Sequence, residues 1–276
     1  MFERSFLRFF ALVMMFVTGY GLAQAPISPS SIAKSPVASS SVAQSQHEAD
    51  AQSLLSAFVS YTDLRMKGVQ QSLETLASTT EARSAKWENM KPLLSSYQRS
   101  DAGLIVWFVR PDGTYSTVDK GPMDVTLSDR DYFPALMSGQ KIMGALVISK
   151  STGQRSAVIA IPMEKNGKII GAIGASLFLD KLSEQVDSAL ALRPDAAFFS
   201  LAPNGRSTLH KQTDRRFVDP RELGSETLKK AANEMLSNPE GETTYEFDNA
   251  TKKAIYRTSP LTQWKFVITF TDAHRK

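Results

Sequence analysis

The sequence predicts an α+β protein: a long amphipathic helix, then two modules, each built on an antiparallel sheet. Three observations predict it. Between about His47 and Ala77 apolar residues recur at threes and fours, the period of a helix with one buried stripe. Beyond it come short apolar runs bounded by Pro, Gly and Asn, as strands and tight turns require. Finally, the order hairpin, helix, antiparallel run occurs twice, which argues two modules with sheets of about five strands each.

The chain has 276 residues, 42% of them hydrophobic, enough for one large or two smaller cores. Its net charge is +4, but the basic residues are scattered and form no stripe interleaved with aromatics, so nucleic acid is not an expected partner. Cysteine is absent, which removes disulfides, thiolate metal sites and a cysteine nucleophile. The histidines His47, His210 and His274 share no metal-ligand spacing. No nucleophile elbow is present, and Gly171-x-x-Gly174 sits within a strand run rather than before a helix. Neither an enzyme nor a cofactor is predicted.

Arg4 and Arg8 precede an apolar run, Phe9 to Leu22, that falls short of a spanning helix of about 20 residues. With small residues before Gln24, this reads as a signal peptide over residues 1–23 and predicts a periplasmic body. An uncleaved inner-membrane anchor is the alternative. Residues 24–46, rich in Ser, Ala and Pro, read as a disordered tether. No cytoplasmic signalling domain is predicted to follow.

The first module, with its helix, is expected over residues 47–193. Leu54, Phe58, Tyr61, Val69, Leu73 and Leu76 form the helix stripe, which should pack on the sheet and is also a candidate homodimer seam. A second helix is expected over Glu81 to Tyr97, bent or divided at Pro92. Gly103 to Val109 and Thr114 to Val118 read as a hairpin closed by Arg110-Pro111-Asp112-Gly113. A loop over Asp119 to Ser128 leads to a short helix that Gly139 ends. Strands at Ala145–Ser149, Ala157–Met163 and Ile169–Leu177 and a helix at Leu179–Leu190 complete the module. Residues 194–276 repeat the pattern on a smaller scale, and no counterpart of the arginine segment is expected there.

That segment, Leu127 to Leu136, sets Arg130 among aromatics inside an apolar pattern. A guanidinium withdrawn from water needs an anion. The candidates are Asp129, Asp131 or a ligand carboxylate gripped by the planar fork. Tyr132 is the preferred pocket wall, since a phenol can also hydrogen-bond. Trp107 and Tyr115, on neighbouring strands, could line the same pocket.

The ordered set of Trp107-Phe108-x-x-Pro111-Asp112-Gly113, Asp129-Arg130-Asp131-Tyr132-Phe133, Ser149-x-x-x-Gly153, Ile161-Pro162 and Gly171-x-x-Gly174 resembles the double Cache (PAS-like) extracellular sensor domain of bacterial chemoreceptors and histidine kinases, over about Gln46 to Asp272. The resemblance implies that the first, membrane-distal module holds the ligand, with Arg130 on its carboxylate and Tyr132 walling the pocket. The amino-acid-binding branch of that family places a tyrosine and two aspartates at positions that hold Val147, Ser149 and Ser176 in this chain. The groups that would hold an ammonium are gone, so the resemblance implies a small carboxylate or other anion. Asp129, Val147, Ser149 and Ser176 complete the candidate site. The expected function is small-molecule sensing, signalling through a separate sensor kinase, chemoreceptor or transporter. The alternative is an interaction protein with a vestigial pocket.

Overall fold

A computed structural model describes the backbone of residues 36–271 and the side chains of residues 49–271. The expected signal peptide lies outside the described residues. The described residues fall into two units, divided between Ala43 and Gln44. The sheets and the candidate site all lie in the second unit.

Helix α1 runs from Pro36 to Ala77 and so begins inside the segment read as a tether. Pro36 takes the first helical position, where its missing N–H costs nothing, and no further proline or glycine follows until Gly68. Within 49–77, Leu55, Phe58, Met66, Val69 and Leu73 are the buried stripe, whereas Tyr61, expected in it, is exposed. The second expected helix is two: α2 (Thr80–Arg83) and α3 (Trp87–Arg99). The break comes at Ala85, whose φ of 51° is left-handed, and Pro92 sits inside α3 without dividing it.

The first sheet has six strands in the order β3-β2-β1-β6-β5-β4, all antiparallel. They are β1 (Leu104–Val109), β2 (Thr114–Thr117), β3 (Gly121–Thr126), β4 (Ile142–Ile148), β5 (Arg155–Lys165) and β6 (Lys168–Phe178). Strand β3 replaces the expected loop. Pro122 lies on it, and β3 is an edge strand, where a proline's missing donor is tolerated. Between β3 and β4 lies the five-residue helix α4 (Phe133–Met137). Helix α5 (Leu179–Leu190) follows β6.

The second sheet has five strands, β8-β7-β11-β10-β9: β7 (Ala196–Leu201), β8 (Ser207–His210), β9 (Glu240–Phe247), β10 (Ala250–Thr258) and β11 (Lys265–Thr271). Helix α6 (Glu226–Ser237) lies between β8 and β9, with Ser225 accepting from the Leu228 N–H as its cap. Without β3, the first sheet has the same strand order, so the repeat expected from sequence is a repeat of topology.

One cluster joins α1 to both sheets. Leu104, Val106, Phe108, Ile159 and Ile173 meet the helix from the first sheet, and Phe198, Phe266 and Trp264 from the second module. Phe58 makes edge contacts with Phe198 at 5.1 Å and Phe266 at 4.7 Å between ring centres. Asp63 accepts from the Ser259 hydroxyl at 2.8 Å, and burial still raises its carboxyl pKa. Along each strand alternate residues must face the other way. Those residues build a second cluster on the first sheet and a third, with α6, on the second.

Between the sheets, Arg155 of β5 donates to the Thr213 carbonyl at 3.0 Å, and Arg216 donates to Asp180 of α5 at 2.8 Å. Both contacts hold the loop after β8 against the first module.

Candidate functional site

The site grows from the face of the first sheet that points away from α1. Register places Trp107 opposite Thr117 and Gly174, and Val109 opposite Tyr115 and Ala172, so these side chains share one face. Val147 of β4 and Val158 and Ala160 of β5 extend the same apolar cluster, which Phe133 and Leu136 of α4 cover. The indole of Trp107 lies over Gly174, where even a methyl group would collide with the ring. Glycine there is a seat for a large aromatic. The Trp107 N–H donates to the Ser176 hydroxyl at 3.1 Å.

Arg130 enters this face from the turn before α4. It is half-buried rather than enclosed, a correction to the dry setting that its apolar neighbours suggested. Its Nη2 donates to the Ile148 carbonyl at 2.7 Å, which fixes the fork at the end of β4. Asp129 is exposed and ion-paired with Lys150 at 2.6 Å, and Lys150 also donates to the Thr126 carbonyl. The hydrogen bond from Lys150 holds the Asp129 carboxyl below its usual pKa. Asp131 is exposed as well. Among the described residues no carboxylate lies within 4.0 Å of the Arg130 guanidinium. The two structural partners considered from sequence therefore do not neutralise it.

Tyr132 packs at the edge of the cluster, and burial pushes its phenol pKa well up against the opposing pull of Arg130. Tyr115 is 4% exposed, and its hydroxyl has no hydrogen-bond partner. Burial raises its pKa too, with Arg130 again pulling the other way. Both phenols are thus neutral donors close to one cation. Ser149 is buried but engaged in the turn after β4: its hydroxyl meets that of Ser151 at 3.2 Å and accepts from the Thr152 N–H.

The structure thus gathers Trp107, Tyr115, Tyr132, Val147, Ser176 and Arg130 about one sheet face, with Ser149 at its end and Asp129 turned to Lys150. Sequence reasoning missed Lys150, Lys120 and Met123. Lys150 follows Ser149 directly, and its neighbourhood was the available signal. Lys120, which donates to the Ser151 carbonyl at 2.5 Å, and Met123 come from around β3, which read as loop. No group of three or more His, Cys, Asp or Glu is placed to hold a metal ion among the described residues. None of the described helices is long and apolar enough to cross a membrane.

The fold has solved counterparts. The extracellular domain of the histidine kinase candidate rpHK1S-Z16 matches with a TM-score of 0.68 at 18% identity, covering 84% of this chain and 97% of that one. The ligand-binding domain of the Pseudomonas aeruginosa PAO1 amino acid chemoreceptor PctB, in complex with L-Gln, matches at 0.64 and 18% identity, over 80% and 89% of the two chains. An extracellular ligand binding receptor from Desulfohalobium retbaense DSM5692 matches at 0.64 and 14% identity, over 79% of this chain, which spans only 39% of that receptor. No curated protein matches the sequence. The model of the Cache domain family matches residues 39–273. With two antiparallel sheets of like topology behind one long helix, this chain belongs to the Cache domain family, in its double form.

Proposed function

We propose that the first module binds a small carboxylate or other anionic metabolite, with Arg130 on the anion, and that the bound state is read by a membrane partner. One observation carries the reading. The Tyr115 hydroxyl is buried without a partner on the face that Trp107, Tyr132 and an un-neutralised arginine share. An orphaned buried hydroxyl costs about 1–3 kcal/mol, which a ligand oxygen would recover. A ligand carboxylate could take the fork of Arg130 and the two phenol donors together.

PctB holds an amino acid, so an α-ammonium is the natural rival. Two features favour an anion without an amine. Val147 and Ser176 bring no carboxylate to the face, and Ser176 already serves Trp107. Asp129 is held by Lys150 on the exposed side.

The proposal is tested by thermal-shift screening of small organic acids against amino acids. A ligand at one hundred times its Kd should add about 2.7 kcal/mol. Arg130→Ala should keep the fold and lose at least tenfold in affinity. Stabilisation by no compound would favour the vestigial pocket. A mutant that binds as well as its parent would remove Arg130 from the site.

Export to the periplasm and a separate sensor kinase, chemoreceptor or transporter as reader belong to the same proposal. N-terminal sequencing of the mature protein should begin at Gln24. Dimerisation along α1 is supported by Tyr61 and Leu64, large and exposed on that helix. Sedimentation should then show a dimer that Leu64→Glu dissociates.

A further inference from the structure

The second sheet carries a hollow of its own, about 310 Å³, on the face away from α1. That volume is within the range of pockets that enclose small molecules, about 300–1,000 Å³. Its floor is Ala197, Phe199 and Leu201 of β7 with Thr269 of β11. Tyr245 and Phe247 of β9 and Leu228 of α6 wall it. The loop after β8, tied to the first module by Arg155 and Arg216, forms its rim.

The polar groups converge. Ser207 is 3% exposed, lines the hollow and has no partner for its hydroxyl. His210 stacks on Phe199 with ring centres 5.9 Å apart. Its Nδ1 accepts from the Gln212 N–H at 2.9 Å, which leaves the proton of a neutral ring on Nε2 as a donor. Burial, with help from Arg215 and Arg216, pushes the His210 pKa down to about 4, so the ring is neutral near pH 7. Arg215 lies over the Phe247 ring at 4.9 Å. It forms two loose ion pairs, with Asp214 at 3.6 Å and Asp248 at 3.8 Å, too long for hydrogen bonds and made to carboxylates that are themselves exposed to water. Of the other charged lining groups, Asp195 faces Arg193, and Lys211 and Lys252 each donate to the protein. The hollow thus offers donors, a guanidinium held only in two loose ion pairs, and apolar walls.

Arg215-Arg216-Phe217 also repeats the arginine-x-aromatic spacing of Arg130-Asp131-Tyr132, and each follows the first hairpin of its module. The sequence expectation that the second module lacks a counterpart overlooked it.

We propose that the second module holds its own site for a small organic carboxylate with an apolar body, Arg215 meeting the acid group and Ser207 and His210 donating to it. The observations stand apart from those for the first module. Calorimetric titration of the purified protein with 3-phenylpropionate, and with 3-phenyl-1-propanol as its neutral twin, tests this. The acid should bind and the alcohol should bind at least tenfold more weakly. Arg215→Ala should weaken the acid at least tenfold. Ala197→Leu keeps the arginine but fills the floor, and should abolish binding. Arg130→Ala should leave it unchanged. Unfolding midpoints establish that each variant folds, and Ala197→Leu decides alone if Arg215→Ala does not. The proposal is overturned if the acid fails to bind at millimolar concentration. It is overturned equally if Arg130→Ala abolishes binding while Arg215→Ala and Ala197→Leu retain it, or if the alcohol binds as well as the acid.

Discussion

His210 couples the electrostatics of one residue to the stability of its module. Its ordinary pKa is 6.5 and its folded value about 4, with burial the leading cause and the charges of Arg215, Arg216 and Asp214 around it. Above pH 6.5 neither state binds the proton. Below it the unfolded chain takes up a proton that the folded chain refuses, so stability falls until about pH 4. The loss attributable to His210 approaches about 3 kcal/mol. His210→Gln should flatten that part of the pH profile, measured as urea midpoints at pH 7.5 and 4.5. An unchanged slope would contradict the assignment. Gly174 is the corresponding lever in the first module. Gly174→Ala should displace the Trp107 indole, break its bond to Ser176 and cost roughly 1–3 kcal/mol, with a loss of near-UV circular dichroism. Arg130, Tyr132 and Trp107 were legible in sequence because aromatics beside a charge break an apolar pattern. What was not legible is solvent access: the half-buried setting of Arg130 and the orphaned Tyr115 hydroxyl depend on the turn before α4 and on strand neighbours distant in sequence.

At the scale of elements, α1 is the common wall behind both sheets. Phe58 is fully buried between two phenylalanines of the second sheet, so Phe58→Ala should cost about 3–5 kcal/mol in denaturant unfolding. Leu64, 70% exposed on the same helix, should tolerate alanine within about 0.5 kcal/mol when unfolding is followed at concentrations low enough to keep the chain monomeric. The strands flanking the candidate site were readable as apolar runs between turn residues, and α5 as an amphipathic stretch. Three departures fall at prolines, whose effect depends on their position in the sheet or helix. Pro122 lies on an edge strand and Pro36 opens a helix, places that tolerate a missing donor, and Pro92 stays within α3. The break in the second helix falls at Ala85, where no sequence signal marks a left-handed residue.

Across the molecule, strand order repeats where sequence barely does, and each module turns one face to α1 and one to its own hollow or cluster. The bond from Arg155 to the Thr213 carbonyl acquires meaning in that arrangement. Arg155 pairs across the ladder with Ile148, whose carbonyl Arg130 grips, and Thr213 lies two residues before Arg215. A guest that shifts the end of β4 therefore pushes on a strut whose far end is the rim of the other chamber. Thermodynamics makes such a linkage mutual: whatever factor one occupant imposes on the second, the second returns. Titrating each compound with and without the other present should give matching ratios in the parent protein, and Arg155→Ala should bring both ratios toward one while leaving each separate affinity intact.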